Sequence, residues 1–165
     1  MSMVLPQLET PRTILRELDE DDVPALLTLF GFSDELARFD IPRLHSSLVC
    51  MQWLDKCRRD FSRRSTIVWG IESRVSMLLV GLFICRDVGK GRGEVFGVIN
   101  RTHQGKGLMT EVAKLMKVLL PDLGLQTVEG FVNAGDEAAI ALFQHCGAVC
   151  SGSEFDGSSK YRINL

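Results

Sequence analysis

Hydrophobic and polar positions follow two different periods along the chain, and the change between them predicts the order of elements. Thr13 to Glu17, with Ile14 and Leu15 apolar, reads as a strand. Asp19 then caps a helix. Glu20, Asp21 and Asp22 crowd its first turn, where the helix dipole favours negative charge, and Ala25, Leu26, Leu27, Leu29 and Phe30 form its apolar side. Gly31 predicts its end. A short helical piece over Asp34 to Phe39, capped by Ser33, comes before Pro42. Ser46 or Ser47 opens the next helix, in which Cys50, Trp53, Leu54, Cys57 and Phe61 recur at helical spacing as one buried stripe.

The alternation then shortens. Thr66 to Ile71 and Met77 to Cys85 predict a hairpin turned at Glu72 to Ser76, and Gly89-Lys90-Gly91-Arg92-Gly93 connects to a third strand, Glu94 to Ile99. A helix from about Gly105 to Leu120 follows, with Met109, Val112, Ala113, Met116, Leu119 and Leu120 on one face. After it come a strand at Thr127 to Val132, a helix from about Asp136 to Cys146, and two strands around an Asp156-Gly157 turn. In that last helix the stripe is Ala139, Leu142 or Phe143, and Cys146. This order describes an α/β (α+β) domain with a mostly antiparallel sheet. With no repeat or linker, residues 1–165 form one domain.

Composition narrows the function classes. Of 165 residues, 45% are hydrophobic and 24% charged, which excludes a disordered chain. The net charge of −2 supplies no global field for nucleic acid. The basic run Lys56, Arg58, Arg59, Arg63, Arg64 and the Lys90 to Arg92 segment lack interleaved aromatic residues, so an RNA-binding role is not expected. The longest apolar run, Val75 to Cys85, is too short to span a bilayer. Met1 to Glu20 has no basic-then-apolar pattern, so neither a signal peptide nor a membrane partner is expected, and the cytoplasm is the expected location. Cys50, Cys57, Cys85, Cys146 and Cys150 are odd in number and contain no C-x-x-C. With His45, His103 and His145 scattered, no disulfide framework or metal site is predicted. The Asn100-Arg101-Thr102 sequon has no secretory route to serve it.

The segment that carries chemistry is Gln104-Gly105-Lys106-Gly107-Leu108-Met109-Thr110-Glu111. It joins a strand to a strongly amphipathic helix. Glycines placed there free backbone N–H groups at a helix N-terminus, a setting suited to a pyrophosphate. Lys106 supplies a cation, and Arg101, Lys114 and Lys117 stand near in sequence. The competing reading is a plain glycine loop with a solvated lysine. The spacing fits neither a Walker A loop nor a dinucleotide fingerprint.

On these residues the chain resembles the GNAT acetyltransferase superfamily, in the branch of RimJ/RimL-like N-acetyltransferases, over nearly its whole length. Leu8-Glu9-Thr10-Pro11-Arg12-Thr13-Ile14-Leu15-Arg16 resembles the branch's opening strand, and Glu94 to Ile99 the strand before its cofactor loop. Gln104 and Gly107 match the Gln/Arg-x-x-Gly-x-Gly/Ala pattern, and Ala138 to Ala148 resembles the last helix. The resemblance implies acetyl-CoA as cosubstrate, an amine acceptor (a protein N-terminus or a small molecule), and a monomer or homodimer. It implies that Glu94–Ile99 and Thr127–Val132 run parallel and splay around the coenzyme. Backbone groups of Val98, Ile99 and Asn100 would pair with pantetheine. The loop from Gln104 through Gly105, Lys106, Gly107, Leu108 and Met109, with the Thr110 hydroxyl, would hold the pyrophosphate.

The departures from the pattern matter as much. Met109 stands where glycine or alanine is usual. Asp136 replaces an asparagine and loses an amide donor to pantetheine. Ala139 replaces a frequent serine. Phe143 occupies the position of a tyrosine that protonates the departing thiolate in many members, and phenylalanine cannot donate. Glu94 is the first candidate base, against a reading as a strand-end charge; Glu154 is the second, against a reading as a solvated edge residue. These losses keep open an alternative to turnover, a coenzyme-binding sensor or partner subunit.

Overall fold

The computed structural model describes residues 5–32, 36–154 and 157–165. Its core is one eight-stranded sheet: β1 (Leu8–Glu9), β2 (Thr13–Arg16), β3 (Thr66–Ser73), β4 (Leu79–Gly89), β5 (Arg92–Ile99), β6 (Thr127–Val132), β7 (Val149–Ser153) and β8 (Ser159–Asn164). The spatial order is β1-β2-β3-β4-β5-β6-β8-β7. Every neighbouring pair is antiparallel except β5 and β6.

Helices α1 (Val23–Phe30) and α2 (Ser47–Ser62) cover one face, and α3 (Leu108–Asp122) and α4 (Glu137–His145) the other. Strand alternation divides the apolar side chains between the two layers. Val68, Leu82 and Ile84 join Leu26, Cys50, Trp53 and Leu54 on the first face, while Trp69, Ile71, Val80 and Val95 join Val112, Met116 and Leu120 on the second.

The predicted elements form, with shifts that have local causes. Asp19 caps a single 3-10 turn, Glu20–Asp22, in a capping box before α1 begins. Gly31 ends α1 with right-handed backbone. Its role is steric, because a Cβ there would run into the carbonyl of Leu27. Of the helical piece expected over Asp34 to Phe39, the described part is one turn, Ala37–Phe39, and the cap at Ser33 lies outside the described residues. Asp156 of the last turn lies outside them as well. The β4–β5 hairpin closes through Lys90 and Gly91, both at positive φ.

The two helices beside the functional loop start later than periodicity suggests. Gly105 and Gly107 hold left-handed backbone, φ +75° and +81°, so α3 cannot begin before Leu108. Asp136 caps α4 from outside, its carboxylate accepting the Ala139 N–H at 3.2 Å. No residue of α4 is fully buried, and Cys146, expected in the core, is half-buried: the inner side of α4 borders a cavity.

Candidate functional site

Strands β5 and β6 pair over only three positions, Arg92 with Thr127, Gly93 with Val128 and Glu94 with Glu129, and then separate. Beyond Glu94, β5 keeps β4 on one edge as far as Ile99 and has no strand on the other. The separation opens a gap through the sheet, with a cavity on each side.

The first cavity, about 180 Å³, lies on the α3/α4 face and is mostly apolar, with Met109, Met116, Leu142 and Phe143 among its walls. The second, about 270 Å³, is more polar and takes Phe39, Phe96, Val98, Gln104 and Phe131 into its walls. Val95, Phe96, Gly97, Phe131, Asn133 and Asp136 border both.

At one end of the gap, the Gly105–Thr110 loop meets the start of α3. The N–H groups of Gly105, Lys106, Gly107, Leu108, Met109 and Thr110 donate to no group among the described residues. Unpaired amides at a helix N-terminus are the donor set a diphosphate requires, so the residues present fit a phosphate-bearing coenzyme. Met109 does not obstruct this: its thioether packs against Gly97, at 2.7 Å from where a Cβ would stand, leaving its amide at the loop.

Sequence reasoning missed one cation here. Arg12, at the mouth of β2, lies over the loop, its Nη2 3.1 Å from the position a Gly107 Cβ would take. It is held by Glu111 on α3, which accepts Arg12 Nε at 2.6 Å and the Arg12 N–H at 3.1 Å. Burial pushes the Glu111 carboxyl up, but these hydrogen bonds and the guanidinium charge outweigh it, and the group sits below its usual value. The signal was present in sequence as Thr10-Pro11-Arg12; only the packing of β2 against α3 shows what it touches. Lys117, a candidate cation, instead donates to the Cys146 carbonyl at 2.9 Å and ties α3 to α4. Lys106 and Lys114 are exposed.

The other expected site residues are divided. Gln104 Nε2 donates to the Ile99 carbonyl at 2.8 Å, fixing the bend after β5, and the Asn100 N–H is used by Val80 at 2.8 Å. The Asn100 side chain lies 2.7 Å from His103 Nδ1. Phe143 lies over Gly130 of β6 and stacks on Tyr161 with ring centroids 5.6 Å apart.

Glu94 stands at the closed end of the gap. It accepts Arg86 Nη2 at 2.5 Å, and Arg86 also lies over the Phe39 ring. Glu94 is not among the residues bordering either cavity, and neither is Glu154, which is exposed beside the β7–β8 turn. Among the described residues no cluster of His, Cys, Asp and Glu could hold a metal ion.

Residues 12–149 match the family described as the Acetyltransferase (GNAT) domain. The chain is 26% identical over 148 residues to the uncharacterized N-acetyltransferase YoaA of Bacillus subtilis strain 168, covering 87% of this chain and 83% of that one. Among solved structures it superposes on the ribosomal-protein-S5-alanine acetyltransferase of Vibrio fischeri with a TM-score of 0.81 at 14% identity, covering 97% of each chain. It superposes on RimL, a ribosomal L7/L12 α-N-protein acetyltransferase in complex with coenzyme A, with a TM-score of 0.80 at 14% identity, covering 97% of this chain and 98% of that one.

Proposed function

Because this chain belongs to the GNAT acetyltransferase family, we propose that it moves the acetyl group of acetyl-CoA to the α-amino group of a protein or peptide by direct attack within a ternary complex. The observation that carries this reading is the gap between β5 and β6. It joins a mostly apolar cavity beside free loop amides to a second cavity on the opposite face. One side suits a pantetheine arm with its diphosphate, and the other suits an amine, so the two reactants meet in line.

In this reading the amides of Gly105 to Met109 and the Thr110 hydroxyl would hold the diphosphate, with Arg12 and Lys106 adding charge. The free edge of β5 beyond Glu94, where Val95, Phe96 and Gly97 border both cavities, would receive pantetheine as an added strand running toward Val98 and Ile99 and supply an N–H to the carbonyl oxygen as it becomes negative.

The acceptor side favours a peptide over a free amino acid. Among the described residues its walls hold three phenylalanines and one carboxylate, but no lysine, arginine or histidine. An acceptor's own carboxylate would enter there without a partner, which is costly. A cytoplasmic enzyme of the RimJ/RimL branch goes with this reading, and all five cysteines are unpaired, the pattern of a reducing compartment.

The test is incubation with acetyl-CoA and a panel of amines, reading thiol release and acetyl-bearing products by mass. Peptides with small uncharged N-terminal residues should be acetylated faster than free amino acids. Tight coenzyme A binding with no transfer to any amine would replace the enzyme with a coenzyme-binding sensor.

A further inference from the structure

We propose that Asp136 is a catalytic residue of this enzyme, carrying a proton from the acceptor nitrogen to the departing sulfur. The inference rests on the acetyltransferase reading above. Six residues border both cavities, and Asp136 is the only titratable one among them. Lys117 and Cys146 border the coenzyme cavity alone, and Lys117 is engaged with the Cys146 carbonyl.

The groups expected from sequence do not reach the gap: Glu94 is bound to Arg86 and borders neither cavity, Glu154 is exposed and borders neither, and Phe143 has no proton to give. Asp136 is held in place by its contact with the Ala139 N–H through one carboxylate oxygen, Oδ1. The other oxygen, Oδ2, accepts no hydrogen bond among the described residues.

The step balances without any added reagent. The neutral amine bonds to the thioester carbonyl carbon, and its nitrogen becomes acidic as it gains positive charge. That proton passes to the Asp136 carboxylate. The carbon–sulfur bond then breaks, and the carboxyl returns the proton to the sulfur, giving the amide and free coenzyme A. A carboxylate between two cavities can face nitrogen and sulfur in turn, which a base on the acceptor side alone cannot.

Asp136→Asn tests this with little structural disturbance, since asparagine caps a helix as well as aspartate. It also restores an amide donor toward pantetheine. If Asp136 shuttles the proton, kcat falls by at least ~100-fold, while coenzyme A binding by calorimetry is equal or tighter and the melting temperature is unchanged. Asp136→Glu, which keeps the carboxylate, should recover part of the rate. An Asp136→Asn enzyme with unchanged or raised kcat would overturn the proposal and leave Asp136 a helix cap. So would a loss of kcat confined to Glu94→Gln. No transfer by the wild-type chain to any amine would instead overturn the acetyltransferase reading itself, and this proposal with it.

Discussion

Replacing Gly107 with alanine isolates the diphosphate cradle from the rest of the coenzyme site. Gly107 sits at φ +81°, immediately before α3. An L-residue there costs about 1–2 kcal/mol of backbone strain. The new Cβ would also meet Arg12 Nη2 at 3.1 Å, so the Arg12–Glu111 clamp must shift by a few tenths of an ångström. For a chain of this size each kcal/mol lowers the melting temperature by about 2–4 °C, so a fall of about 2–8 °C is expected. Relief of the strain turns the amides of Leu108 and Met109 from the orientation the loop gives them. A hydrogen bond to a charged group is worth about 1.5–3 kcal/mol, so losing one weakens acetyl-CoA about 10- to 100-fold. The assay is calorimetric titration with acetyl-CoA and, in parallel, with S-acetylpantetheine, which has no diphosphate. The second ligand should bind the variant and the parent alike. Gly124→Ala is the control: it introduces similar strain at φ +90°, with open space around the Cβ, past the far end of α3. Equal losses for both ligands in Gly107→Ala, or equal losses of acetyl-CoA binding in the two glycine variants, would refute the cradle.

Three further outcomes follow from particular contacts. Glu111 is held below its usual value in the folded chain, so its contribution is present above the ordinary glutamate pKa of about 4.3 and lost as pH falls through its folded value; Glu111→Gln should flatten that acid limb of the urea midpoint measured against pH, and an unchanged limb would show that the Arg12 clamp adds nothing. Burial pushes the Cys85 thiol up to about 12 whereas Cys150 is exposed, so a maleimide in mildly alkaline buffer should label Cys150 and spare Cys85 until the chain unfolds; peptide mapping by mass reads this, and early labelling of Cys85 would contradict it. Gly130→Ala drives a Cβ into the Phe143 ring and should destabilise by about 1–3 kcal/mol; in a double-mutant cycle by thermal melting, adding Phe143→Ala should relieve part of that cost, and strict additivity would show that the ring does not rest on Gly130.

Sequence periodicity was enough to place most of the strands and helices, because most bury an apolar face that the spacing of apolar residues records, although β7 is exposed throughout and α4 has no fully buried residue. The stripe Val112, Met116 and Leu120 marks the inner side of α3, and Asp19 marks the entry to α1 through a carboxylate that satisfies N–H groups only a few residues away. The Gly105–Gly107 bend is legible for the same reason, since left-handed backbone leaves its signature in residue type. These are local effects. What pairs with what across the sheet is not local. Arg12 and Glu111 are 99 positions apart, and nothing in either neighbourhood marks their union over the loop. Glu94 looks like a free strand-end acid in sequence, yet the β4–β5 register sets it opposite Arg86, which takes its charge. Asp136 reads as a lost coenzyme contact until β5 and β6 part after three residues and leave it between two cavities. The order of elements and the amide-bearing bend are local properties, because hydrophobic period and φ preference act within a turn or two. Which charges pair with each other, and which carboxylate borders both cavities, depends on the packed sheet, because Coulomb pairing and burial follow distance in space rather than separation along the chain.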